Sequence, residues 1–213
     1  MNKESWMEEI SITDMDLSRT AAIAELAACE AGTYLVSKLG HAHILFQKAP
    51  RDQTLDADLE AERIILGKLR QHFPTYGILS EEGGSEHEER PVCWIVDPLD
   101  GSMNFEHGSS LFAISLALVA QQQTIVGIVY LPVQNEMFTS IHGKGAKLNG
   151  NCIRPSTIAK VEGAIIHVGE FSRYDDIIKL EQMQQFSIIA EHACRVRVLG
   201  TSCTDLAWVA FHG

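Results

Sequence analysis

A chain of 213 residues, 46% of them hydrophobic, is long enough to bury one large core or two modest ones. Its net charge of −11 excludes the clustered Lys and Arg that nucleic acids and anionic membranes attract, so the expected partner is a small molecule or a metal ion. No apolar run reaches the roughly eighteen residues of a membrane span, and "MNKESWMEEISITDMD" lacks the basic-then-apolar pattern of a signal peptide, so a cytoplasmic location is expected.

In "LSRTAAIAELAACEAGTYLVSKL", Leu17 to Leu39, apolar residues including Ile23, Leu26, Ala27, Leu35 and Leu39 recur at helical spacing, and Gly40 marks the stop. "HILFQKAPRDQT" alternates briefly around Pro50, which suits a short strand or hairpin. A second helix, "LDADLEAERIILGKLRQHF", follows and ends at Pro74. It opens with Asp56, Asp58, Glu60 and Glu62 and closes with Lys68, Arg70 and His72, a polarity that complements its dipole. Next come the apolar "YGILSEE", the polar loop "GGSEHEERP" and the strand "VCWIV". "LFAISLALVA", "TIVGIVYLP" and "EMFTSIH" are β-rich runs separated by turn residues, so a meandering sheet flanked by helices is expected. From Gly163 the pattern becomes strand ("AIIHVGE"), helix ("YDDIIKLEQMQQF"), strand ("VRVLG") and helix start ("TDLAWVAFHG"), the beginning of a second α/β layer. The expected division is an N-terminal α+β unit, 1–155, and a C-terminal α/β unit, 156–213. The five cysteines have no Cys-x-x-Cys pair and are expected to be reduced, mostly small core residues.

The segment "CWIVDPLDGSMNFEHG" sets Asp97 and Asp100 three residues apart, after an apolar run that ends in a turn. Like charges that close are costly unless a proton or a cation is shared between them. Hard divalent cations such as Mg²⁺ take carboxylate and carbonyl oxygens, the latter here from Leu99, and leave positions for water and phosphate. A helix beginning at Gly101, Ser102 and Met103 would turn its free N–H groups to the same place, and phosphate is their natural guest. By itself Asp-Pro-x-Asp-Gly also fits a surface turn with a helix cap. Glu81 and Glu82 form a second acidic pair, one of which reaches the site in this reading, although such a pair before Gly-Gly is commonly just exposed. Asp58 also reads as an ordinary acid of a helix's first turn.

These motifs resemble the signature of the inositol monophosphatase family: "WIVDPLDGSMNFEHG" is similar to its strand followed by Asp-Pro-Ile/Leu-Asp-Gly-Thr/Ser-x-Asn-Phe, and "ILSEEGG" to its Glu-Glu motif. "DQTLDADLEAERII", "GIVYLPVQNEMF", "GKGAKLNG" and "RVLGTSCTDLAWVAFHG" follow in the family's order. The resemblance implies a layered αβαβα sandwich of the sugar-phosphatase type, its mixed, largely antiparallel sheet flanked by helices. It implies Mg²⁺ as cofactor, with Glu81, Asp97 and the Leu99 carbonyl holding a first ion, and Asp97 bridging to a second that Asp100 also binds. It further implies that Ser102, paired with Asp58, orients the attacking water, and that Glu81 belongs to the catalytic set. Gly101 and Ser102 would hold phosphate, and Gly200, Thr201 and Ser202 the alcohol. The implied reaction is hydrolysis of a small phosphate monoester without a phosphoenzyme, inositol 1-phosphate first, with fructose 1,6-bisphosphate and histidinol phosphate as alternatives. A homodimer is the family's usual state. A non-catalytic protein that keeps the fold to bind metal, phosphate or a partner is the reading of another class.

The sequence departs from the family pattern in places. "DQTLD" has Leu55 where the family often shows Thr, with Thr54 beside it, and the family's lysine near the phosphate aligns with Gln47, next to Lys48. Family members continue past the position of "VAFHG" to a Trp-Asp-x-x-Ala-Gly segment whose Asp completes the second metal site. The C-terminal layer is therefore expected to be incomplete, and the chain a fragment. His41 and His43 are expected to be exposed, His107 either to approach substrate or to cap a helix, and Trp94, Phe105 and Trp208 to be core or wall residues. Asp205 is expected to complement a helix dipole or pack, not to bind metal.

Overall fold

Small residues, more than large ones, make the buried stripe of the first helix. In the computed structural model, which describes residues 15–49, 52–87, 89–172 and 175–212, α1 spans Leu17–Lys38 and buries Leu17, Thr20, Ala21, Ala24, Ala27, Ala28, Ala31, Gly32 and Leu35. Leu26, expected on the apolar face, is 54% exposed. The alanines and Gly32 allow close approach to the sheet, since a Cβ on Gly32 would lie 2.6 Å from the Tyr130 ring. Asp16 caps the helix by accepting from the Arg19 N–H at 3.0 Å.

The expected hairpin is present as β1 (Ile44–Ala49) and β2 (Asp52–Leu55), antiparallel, and it leads directly into α2 (Asp56–His72). Most of the N-terminal segment "MNKESWMEEISITDMD", residues 1–14, lies outside the described residues, as do Pro50 and Gly213. One sheet of eight strands follows: β3 (Gly77–Ser80), β4 (Gly84–Glu86), β5 (Val92–Asp100), β6 (Ala113–Ala120), β7 (Gln123–Leu131), β8 (Glu136–Ile141), β9 (Gly145–Leu148) and β10 (Asn151–Cys152). Its order is β10-β9-β8-β7-β6-β5-β3-β4, antiparallel except for the β3–β5 pair. The segment "GGSEHEERP" is not wholly loop, because Gly84–Glu86 pairs with β3.

Alternation along the strands separates two apolar faces. Trp94, Val96, Leu116, Leu118, Val126 and Ile128 point into the larger core with α1 and α2. Ala113, Leu131 and Phe138 meet Ala207 of a C-terminal helix, α5 (Ser202–His212), on the other face. Before it come β11 (Ile165–His167), α4 (Asp176–His192) and β12 (Arg195–Arg197), and β11 and β12 pair in parallel as a separate two-stranded sheet. This is a layered α+β architecture: a mixed sheet flanked by helices. Trp94 and Phe105 are fully buried, as expected of core residues.

The strand carrying the acidic motif runs further than its apolar part. β5 continues through Asp97-Pro98-Leu99-Asp100, so the acids sit in the strand and not in a turn after it. A short helix, α3 (Ser102–Glu106), starts after Gly101, whose φ of +93° only glycine adopts readily. A Cβ there would also lie 3.1 Å from the Leu111 carbonyl and 3.2 Å from Thr201 Cβ. Gly101→Ala is therefore expected to destabilise the protein by about 1 to 3 kcal/mol, measured as a lower urea midpoint with an unchanged slope.

Candidate functional site

In a regular strand, residues three apart face opposite sides, yet the side chains of Asp97 and Asp100 converge. The cause is a register irregularity: Asp97 pairs with Ser115 and Asp100 with Ala113, so three steps along β5 match two along β6. The extra residue of this bulge, at Pro98-Leu99, turns Asp100 to the face that Asp97 occupies. Glu81 arrives from β3, its N–H continuing the parallel pairing at 3.2 Å from the Val96 carbonyl. Its carboxyl hydrogen-bonds that of Asp97.

The loop behind Glu81 is fastened by groups the sequence reading missed. Glu62, read as an acid of the helix's start, is buried, and its Oε1 accepts from the Gly83 N–H at 2.8 Å and from the Ser80 hydroxyl. Glu82 accepts from Thr54 Oγ1 at 2.8 Å. Asp58, also buried, accepts from the Leu55 N–H at 2.6 Å. Gln53 donates to Glu106, which ties the hairpin to α3.

Asp100 is held from α5, a hundred residues away in sequence. Its Oδ2 accepts from the Cys203 N–H at 2.7 Å and from the Thr201 hydroxyl. Thr201 is buried, so its hydroxyl serves this bond and that to Thr204 Oγ1 at 3.0 Å. Thr201→Val is expected to lower unfolding stability by about 2 kcal/mol by leaving a half-buried carboxylate short of a donor, read by chemical denaturation. Gly200 and Ser202 flank it, and with Gly101, Ser102 and Asp205 they line a cavity of about 490 Å³ beside Asp100. Asn104 holds the two walls together by donating to the carbonyls of Leu111 and Leu199, both at 2.8 Å.

The electrostatics leave this cluster short of positive charge. Burial foremost, then the Glu81 and Asp100 carboxylates, push Asp97 up from 3.8 to about 8, opposed by the Leu99 N–H, which donates to Asp97 Oδ1 at 3.2 Å. Ligand atoms of Asp97, Asp100 and Cys203 lie within 4.8 Å of one another. Burial, then the same two aspartates, raises the Cys203 thiol. A donor set dominated by carboxylate oxygens, each raising the cost of its neighbour's charge, fits a hard divalent cation.

Other expectations fall out more plainly. His41, His43 and Gln47 are exposed, and His107 is exposed with Nδ1 at 2.9 Å from the Met103 carbonyl of its own short helix. Trp208 lines a second cavity with His167 and donates to Glu136 at 2.9 Å. Asp205 does more than complement a dipole, since its Oδ1 lies 2.6 Å from His167 Nδ1 at the cavity's edge. The cysteines are not core residues: Cys29, Cys152 and Cys194 are exposed, and Cys93 and Cys203 half-buried.

The fold and site define a layered α+β protein with an acidic cluster beside a glycine-led helix start. The inositol monophosphatase family profile matches residues 6–212, and the chain belongs to that family. It is 38% identical over 192 residues to an inositol-1-monophosphatase of Mesorhizobium japonicum, covering 86% of this chain and 70% of that protein. It is 34% identical over 187 residues to a Nus factor SuhB of Xylella fastidiosa, covering 86% of this chain and 67% of that one. Among solved structures, the extragenic suppressor protein suhB of Bartonella henselae superposes with a TM-score of 0.86 at 32% identity, over 91% of this chain and 76% of that chain.

Proposed function

We propose that the protein is a Mg²⁺-dependent phosphomonoesterase acting on a small polyol or sugar phosphate, with inositol 1-phosphate as first substrate. The observation that carries this reading is the convergence of Glu81, Asp97 and Asp100 next to the Gly101–Ser102 turn. Glu81, Asp97, Asp100 and the Leu99 carbonyl would hold the cations. Bound there, magnesium supplies charge neutralisation for the phosphate and a lowered pKa for a coordinated water. The N–H groups of Gly101 and Ser102 would bind phosphate oxygens, and the Ser102 hydroxyl, with Asp58, would orient the attacking water. Gly200, Thr201 and Ser202 would form the wall facing the alcohol. In this reading 1–155 forms the metal-binding domain and 156–213 belongs to the C-terminal α/β domain, and the enzyme is a cytoplasmic homodimer with neither nucleic acid nor membrane as partner. Among the described residues no helix is long and apolar enough to cross a membrane.

Phosphate release from inositol 1-phosphate, fructose 1,6-bisphosphate and histidinol phosphate across a Mg²⁺ titration tests the reading and ranks the substrates. Release from none of them at any Mg²⁺ concentration overturns it. A second reading, a non-catalytic partner-binding role, is favoured by relatives that carry the name of a Nus factor and not of an activity. It predicts that Asp100→Asn leaves partner binding intact.

A further inference from the structure

Cys203 brings a soft donor to a cluster otherwise made of hard ones. It is the second residue of α5, and its N–H bond to Asp100 Oδ2 at 2.7 Å ties the residue that carries the thiol to the strand that carries the acids. The Thr201 hydroxyl, two residues earlier, fastens the same carboxylate, and α5 packs against β6 and β7. The Cys203 backbone beside the strand that carries Asp97 and Asp100 is thus set by this bond and by packing.

Donor type decides which cation uses this arrangement. Magnesium and calcium take oxygen and have little use for sulfur, whereas zinc and cadmium bind thiolate readily and accept carboxylate as well. In a tetrahedral zinc site with sulfur and oxygen ligands, ligand atoms lie roughly 3.4 to 3.6 Å apart. The observed donor atoms lie within 4.8 Å of one another, so side-chain rotations alone close the gap.

We propose that Asp97, Asp100 and Cys203 form a second-mode cation site that captures a thiophilic divalent ion, zinc or cadmium, in competition with the hard cation of the phosphatase reading. The thiol proton leaves to solvent as the sulfur–metal bond forms, and no electron is transferred. The site is shared with the proposed phosphatase centre, and the inference rests on that placement but not on turnover.

The test is a Cd²⁺ titration of metal-stripped protein in which the exposed Cys29, Cys152 and Cys194 are replaced by Ser, followed by the ultraviolet sulfur-to-cadmium charge-transfer band. The expected result is a band that saturates at one equivalent, is suppressed by excess Mg²⁺, and vanishes on adding Cys203→Ser, with Cd²⁺ affinity falling roughly ten- to a hundredfold. Mg²⁺ affinity, measured by calorimetry on the same two proteins, is expected to stay unchanged, which also shows that the variant is folded. A band that survives Cys203→Ser, or one that Mg²⁺ does not compete away, overturns the inference. Absence of the band in a protein that binds Mg²⁺ and releases phosphate defeats this inference alone. A Cys203-dependent band in a protein that hydrolyses no phosphate ester upholds it and defeats the phosphatase reading alone.

Discussion

Asp97→Asn is expected to lower phosphate release by roughly a thousandfold or more, equivalent to about 4 kcal/mol of transition-state stabilisation, while leaving the protein folded. Asn fills the same volume and keeps an oxygen to accept the Leu99 N–H now bonded to Asp97 Oδ1 at 3.2 Å. What it removes is the carboxylate at the centre of the cluster, the one that Glu81 and Asp100 both crowd. Steady-state kinetics at saturating Mg²⁺, with circular dichroism as the control for folding, check this. A variant that turns over at the parent rate takes Asp97 out of the reacting site.

Metal-free protein is expected to melt at a lower temperature at pH 8 than at pH 5. Asp97 has an ordinary value of 3.8 and about 8 in the fold, so the folded state favours the protonated carboxyl. A raised carboxylate contributes stability that is fully present below about pH 4 and is lost progressively as the pH climbs toward about 8. Saturating Mg²⁺ is expected to raise the melting temperature more at pH 8 than at pH 5, because at the lower pH a proton already occupies the place of the cation. Asp97→Asn should flatten the profile across this window. Equal melting temperatures of the metal-free parent at the two pH values would contradict the account.

The aspartate motif was legible because its chemistry is local. Two acids, a proline and a glycine within five residues fit a cation and phosphate turn as well as a surface turn with a helix cap, and the surrounding motifs favoured the first, while the alternation of "LFAISLALVA" and "TIVGIVYLP" was enough to anticipate the meander. Less legible was which apolar residues α1 buries, since Ala24, Ala27 and Ala31 win over Leu26 only because the sheet sits close against them. Burial of the cysteines was misjudged for a similar reason: Cys29, Cys152 and Cys194 fall on faces that nothing covers among the described residues.

By itself the sequence determined the kinds of element, their order, the residues that carry the acidic chemistry and the family they resemble, because each of these is written in neighbours a few positions apart. Only the tertiary structure decided that Asp97 and Asp100 share a face, through a bulge defined by the register of β5 on β6. It alone brought Thr201 and Cys203 to Asp100, Glu62 to the loop behind Glu81, and His167 to Asp205. These contacts join segments 18 to 103 residues apart, and whether such groups meet depends on strand order and helix packing, which no local pattern of residues encodes.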